Sequence, residues 1–177
     1  MNPISYVARS ASGIAAITMI GAAVLGAIWG LLLPSYTVDL AGDGVYTPGA
    51  DFGSADFGYY LAFLLITTIL GGIIGVVSFS VLDSWPPVGG QLFAIGLALI
   101  ASSEFLLVGN LVSRALLDID ALYGPAGTTA MVKTTLDGGG GYFWAPLCAA
   151  AVWWVRLWTT LGQAATIAPE NSPEPIE

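Results

Sequence analysis

Polar and apolar positions along the chain separate into four long apolar runs and the polar intervals between them. Gly13–Leu33 and Tyr59–Leu82 contain no charged residue. Val88–Val112 contains one, Glu104, and Tyr142–Gln163 contains one, Arg156. At about 1.5 Å rise per residue, each run crosses roughly 30 Å of hydrocarbon as a helix. The pattern predicts an all-α integral membrane fold, a four-transmembrane-helix bundle with a small extracytoplasmic β-containing insert. Residues 1–163 are then one membrane domain with no room for a second, soluble one. Residues 164–177, rich in Pro and Glu, are a disordered cytoplasmic tail. The first run has Arg9 ahead of it, as a secretory signal would. Its apolar core is too long for one, and no A-x-A-like site follows Leu33-Pro34-Ser35-Tyr36, so it reads as an uncleaved anchor.

The intervals carry turn and strand signals. Asp83-Ser84-Trp85-Pro86-Pro87 breaks the helix at its prolines and makes the second and third runs an antiparallel hairpin. On the other side of the membrane lie two longer intervals, Pro34–Gly58 and Ser113–Gly141. Tyr36–Leu40 and Val45–Thr47 are β-prone around the turn Ala41-Gly42-Asp43-Gly44, and Thr129–Leu136 is a third β-prone segment before Asp137 and four glycines. Together they predict a small sheet of three strands seated on the helix ends. Arg114–Tyr123 reads as a continuation of the third helix, broken by Gly124-Pro125. Ala50-Asp51-Phe52-Gly53 recurs as Ala55-Asp56-Phe57-Gly58, with phenylalanines suited to the interface and aspartates to water. The repeat lacks the oxygen spacing of a calcium loop.

Composition narrows the function. Among 177 residues there are 4 basic and 12 acidic side chains, a net charge of −8, and no histidine. Charged residues make up 9 % of the chain, where soluble domains carry about a quarter. An ordinary soluble enzyme and a nucleic-acid binder are excluded. Without histidine, the commonest general base and metal ligand is missing. Cys148 is the single cysteine, so a disulfide, a thiolate zinc site and a CxxC pair are excluded too; it reads as a small buried apolar residue. Arg9 and Arg156 on one side balance Arg114 and Lys133 on the other. Asp39, Asp43, Asp51 and Asp56, in an interval without a cation, favour both termini in the cytoplasm and a cell inner (plasma) membrane location. Tyr59, Tyr60, Tyr142, Phe143 and Trp144 would ring the outer boundary, and Trp85 and Trp158 the inner one.

The candidate functional residues are few. An ionisable group at membrane depth is a functional hypothesis by default, and Glu104 is the first such group. Arg156 is the second, with an axial separation from Glu104 on the order of 10–15 Å, so that a direct ion pair needs both long side chains to reach toward each other. Glu104 has three readings: a protonated structural group bonded to a neighbouring helix, a partner to another subunit, or a coupling carboxylate in a transport pathway. Gly96, Ser103, Asn110 and Arg114 share one helical face, about 100° round from Glu104, and read as an interhelical seam. Gly26 and Gly30 on the first helix, and Gly71 and Gly75 on the second, form GxxxG patterns. These suit close helix packing, within this chain or against another subunit. No convergent catalytic set, cofactor motif or metal-ligand cluster is present. Gly138–Gly141 lies ahead of the fourth helix, where its amides could meet an anion, but it reads as a flexible link into the membrane.

Several of these features resemble a family of small, uncharacterised membrane proteins of mycobacteria and related actinobacteria. They are Gly26-Ala27-Ile28-Trp29-Gly30-Leu31-Leu32-Leu33-Pro34 closing the first helix and the β-like Tyr36–Thr47 with its Asp-Gly turn. The aromatic start Phe57–Tyr60 of the second helix, Arg114 closing the third and a β-like segment before the fourth complete the likeness, over about residues 21–161. The inner turn Asp83–Pro87 departs from it in lacking basic residues. The resemblance implies a four-helix envelope protein with an extracytoplasmic insert, and no activity. The expected function is that of a non-catalytic accessory or assembly subunit of a larger membrane complex, working with the bilayer and with other subunits or further copies of itself. The alternative is a small transporter or channel subunit that uses Glu104. A third reading is an envelope sensor that reads a ligand through the acidic outer loop, against which stands a tail expected to be too short to hold an output domain.

Overall fold

A computed structural model describes residues 3–42, 45–49, 52–82, 85–117, 123–133 and 139–167. It is mostly helical: α1 (Pro3–Leu32), α2 (Phe52–Val81), α3 (Pro87–Ala115) and α4 (Trp144–Ile167). β1 (Ser35–Gly42), β2 (Val45–Pro48) and β3 (Thr129–Lys133) form one small sheet. Ala8–Leu32, Phe57–Val81 and Pro87–Ala115 are long and apolar enough to cross a membrane. α4 is 24 residues long but carries Arg156 and four tryptophans, Trp144, Trp153, Trp154 and Trp158, and is not among the membrane-capable helices. It continues to Ile167, four residues into the segment read as tail; the rest of that tail lies outside the described residues.

Prolines set the helix limits as expected. α1 stops ahead of Pro34, which disfavours α geometry in the residue before it. Pro86 caps α3 in an extended conformation (φ −53°, ψ 133°), and Pro87 takes the first helical position, where its missing N–H costs nothing. Asp83 and Ser84 of this turn lie outside the described residues. The other end of α3 differs from expectation. The helix stops at Ala115, and Leu116 leaves it at φ −95°, ψ 1°, sharing its N–H between Val112 and Ser113 carbonyls at 3.2 and 3.3 Å. Bifurcation of this kind is how a last turn tightens and ends. Arg114 lies in that turn, where a cation complements the helix dipole. Residues 118–122, the rest of the expected continuation, lie outside the described residues. α2 begins at Phe52, so the second copy of the Ala-Asp-Phe-Gly repeat is helical and not loop; Ala50 and Asp51 lie outside the described residues.

The glycine pairs hold the bundle together. A Cβ on Gly26 would lie 2.5 Å from the Phe105 carbonyl oxygen, and one on Gly30 would strike the Gly109 carbonyl. On α2, a Cβ on Gly71 would strike the Ala145 carbonyl, and one on Gly75 would lie 2.9 Å from that of Ala149. Backbone therefore meets backbone at both seams, the contact that small residues four apart permit. Numbers rise together along each seam, so α1 runs parallel to α3 and α2 parallel to α4. Of the two expectations for these glycines, packing inside the chain is the one the structure uses. Between the seams lies a core of Ala22, Ile74, Ala94, Leu97, Ala98, Ala101, Ala145, Ala149 and Trp153. Only 17 % of the apolar window of α1 is buried by the rest of the chain, and Ile17, Ile20, Val24, Ile28 and Leu31 point outward. Such a surface suits hydrocarbon.

The sheet has order β2-β1-β3 with antiparallel neighbours, as the three β-prone segments predict. Asp43 and Gly44 of the hairpin turn, and Thr134–Leu136 beyond β3, lie outside the described residues. Alternation decides which face is buried: Val38 and Leu40 of β1 meet Ala130 and Val132 of β3 in a cluster with Tyr36 and Leu117, while Thr37, Asp39 and Met131 face out. Gly127 (φ +83°) forms the turn before β3, with Thr128 N–H bonded to the Pro125 carbonyl at 3.2 Å. This is the third position of a type II turn, where positive φ favours glycine. Lys133 ties the sheet to the bundle by donating from Nζ to the Leu31 carbonyl at 3.3 Å, on the last turn of α1.

Candidate functional site

Helix register places the candidate residues in height. Gly26 opposite Phe105 and Gly30 opposite Gly109 bring the end of α1 level with about Leu111 of α3. α4 is displaced inward. Its preceding 3-10 turn, Gly139–Phe143, is bonded at mid-height, where Ser102 Oγ donates to the Tyr142 carbonyl at 3.2 Å. Trp144 Nε1 donates to Thr68 Oγ1 at 2.6 Å, and Gly141 lies under the Phe63 ring. Further along, Trp153 fills the notch at Gly90, where a Cβ would lie 2.8 Å from Cζ2 of its ring. Leu157 then shares a cleft of about 230 Å³ with Leu82, Trp85 and Pro87.

Two expectations change as a result. Arg156, between Trp153 and Leu157, is exposed at the height of the α2–α3 turn, not at membrane depth. Its axial distance from Glu104 is roughly 20–25 Å, the rise from the first turn of α3 to residue 104, which excludes an ion pair within the chain. Tyr142, Phe143 and Trp144 also leave the expected outer ring. They sit beside Thr68, while Tyr59 and Tyr60 lie more than two helical turns further out on α2. Leu157 and Trp85 share one cleft, which puts the neighbouring Trp158 at the same end of the bundle as Trp85.

Glu104 lies about 11 Å below the end of α1, the rise of seven residues. The residue is half-buried, and its Oε2 is closed off with no hydrogen-bond partner in the described structure. Trp29 Nε1, Ser78 Oγ and Trp153 Nε1 are buried and unpartnered in the same way. The neighbour Phe105 is fully buried, with its ring 6.0 Å from Trp29 and 6.1 Å from Phe63. Phe105 thus joins three helices, while Glu104 sits at the edge of that node.

The polar stripe on α3 also takes a different place from the one expected. The helix presents Phe105 and Gly109 to α1. Ser103, Asn110 and Arg114 line an outer groove of about 470 Å³ together with Leu107, Leu111 and Tyr142, and Gly96 meets nothing. All the α3 residues of this groove lie beyond Ser102, where α4 no longer accompanies the helix.

No family model, curated protein or solved structure matches the chain. Its own geometry must carry the assignment. Among the described residues no three His, Cys, Asp or Glu side chains gather to hold a metal ion. Cys148 is a free, half-buried thiol rather than a fully buried one. The features that sequence reasoning missed are the Trp29–Phe105–Phe63 node, the Gly90 notch and the groove. Gly89-Gly90 is a local signal for the notch, but its occupant Trp153 lies far along the chain.

Proposed function

We propose that this protein is a non-catalytic, four-span membrane protein of the cell envelope that serves as an accessory or assembly subunit of a larger membrane complex. In this reading the fourth crossing is made by the Gly139–Phe143 turn together with the apolar first half of α4, which packs on α2 through Ala145 and Ala149. Both termini then lie in the cytoplasm, at the inner (plasma) membrane, with the acidic insert outside. The outer sheet carries the functional reading. It is anchored to α1 through Lys133, yet all four residues of β2 are exposed, Val45 and Tyr46 among them. An edge strand with free backbone groups and apolar side chains is a ready contact for another protein.

A photocrosslinking residue at Tyr46, in protein kept in its native membrane, is expected to capture one reproducible partner. The same residue at Ile17, on the lipid-facing side of α1, is expected to capture none. Capture at neither position, with a lone monodisperse monomer in several mild detergents, would sink the accessory role.

One observation favours a second reading, a transporter or channel subunit. Glu104 Oε2 is closed off and unpartnered at membrane depth, where burying such a group is costly unless it has a role. Glu104→Gln is then expected to abolish a proton- or ion-dependent flux in proteoliposomes. Equal flux with and without the substitution, or no flux in either chain, rejects it.

A further inference from the structure

We propose that the groove on the outer half of α3 holds one anionic phospholipid of the sheet-side leaflet. Its phosphate sits on Arg114, and an acyl chain lies along Leu107 and Leu111. The inference rests on the bilayer setting of α1–α3 and is independent of the accessory role.

Height determines the kind of occupant. From Ser103 to Arg114 the groove rises through eleven residues, about 16 Å, which is close to half of a hydrocarbon core roughly 30 Å thick. Below it, Tyr142 closes the inner end, and the Ser102–Tyr142 bond fixes that floor at mid-height. A partner's membrane helix must run through both leaflets. A lipid occupies one.

Chemistry is graded along the same axis. Arg114 stands at the outer end, one turn beyond the level of the α1 terminus, at the height of a lipid headgroup. It is exposed, and its guanidinium has no ion pair or hydrogen bond among the described residues. Guanidinium binds phosphate through paired N–H donors and is less strongly hydrated than an ammonium group. Asn110 lines the groove one turn lower, at the height of the glycerol region. Leu107 and Leu111 are exposed at 69 % and 64 %, and they offer the apolar wall that an acyl chain needs. The volume of about 470 Å³ accommodates one such chain and no folded partner.

The full-length protein, delipidated in mild detergent, is titrated with phosphatidylglycerol, with phosphatidylcholine of the same chains, and with inorganic phosphate. Native mass spectrometry reads the bound species. One phosphatidylglycerol is expected to bind in clear preference to phosphatidylcholine, and phosphate alone neither binds nor competes. Arg114→Gln is expected to weaken phosphatidylglycerol binding about tenfold or more, as removal of one charge-assisted pair implies. Leu107→Trp, which fills the groove, blocks it without touching the charge. Arg9→Gln, which removes an exposed cation near the other end of the bundle, leaves it unchanged. All three side chains are exposed, so unaltered thermal midpoints without lipid show that the variants fold. Equal binding of the two lipids overturns the proposal, as does a full preference in Arg114→Gln. Competition by inorganic phosphate overturns it in favour of a soluble anion.

Discussion

Phe105→Ala is expected to lower the stability of the bundle by about 3–5 kcal/mol, the range for deleting a fully buried aromatic ring. The ring is fully buried and touches aromatic neighbours on two other helices, Trp29 on α1 and Phe63 on α2. Little of its worth comes from leaving water, because lipid surrounds the helices. It comes from close packing, with many weak dispersion contacts that a cavity forfeits together. Backbone at Phe105 and Gly109 is pressed against Gly26 and Gly30, which limits how far α1 and α3 can close over the void. The check is an unfolding titration of the purified protein in mixed detergent micelles. Leu107→Ala serves as the comparison: its side chain is 69 % exposed and is expected to change stability by no more than about 0.5 kcal/mol. A loss below about 1 kcal/mol for Phe105→Ala would mean that the three-helix node is not closed as described.

Gly71→Ala and Gly72→Ala should have effects of opposite sign. At Gly71 the added methyl would strike the Ala145 carbonyl, a backbone atom that cannot rotate away, so α2 and α4 must separate. Overpacking of this kind costs about 1–3 kcal/mol. At Gly72 nothing lies within 4 Å, so alanine brings only its better helix propensity, a gain of up to about 1 kcal/mol. Both variants are read by thermal unfolding in the same detergent. Equal effects at the two sites would reject the Gly71–Ala145 seam. Gly30→Ala and Gly21→Ala repeat the contrast on α1, since Gly30 faces Gly109 and Gly21 faces open space.

Glycine spacing was legible along the chain because a GxxxG pattern is local, but which surface it met was not. The partners of Gly26 and Gly30 lie on α3, and those of Gly71 and Gly75 on α4, so only the folded bundle distinguishes internal packing from docking. β-propensity and turn signals likewise announced three strands, and alternation within each chose its buried face. The sheet order β2-β1-β3 required β3 to return from far along the chain. Asn110 and Arg114 were visible as a polar stripe, and the expected seam failed for a reason of placement. A stripe records that one face is unlike the others, without recording what stands opposite.

Arg156 makes the same point about height. Counting residues inward from each run's end assumed that the helices start level, and α4 does not. The bonds Ser102–Tyr142 and Trp144–Thr68 set it inward by several turns, which carries Arg156 to the height of the α2–α3 turn and leaves Glu104 without a counter-charge among the described residues. By itself, the sequence determined that long apolar helices occur, where proline ends them, and that a charge-poor chain without histidine is built for a bilayer. Those properties depend on neighbours a few residues away and on transfer between water and hydrocarbon. The tertiary structure alone decided the parallel pairing of α1 with α3 and α2 with α4, the stagger of α4 and the groove that stagger leaves open. Each depends on contacts between residues distant in the chain, where backbone approach and side-chain fit select one register among many of similar composition.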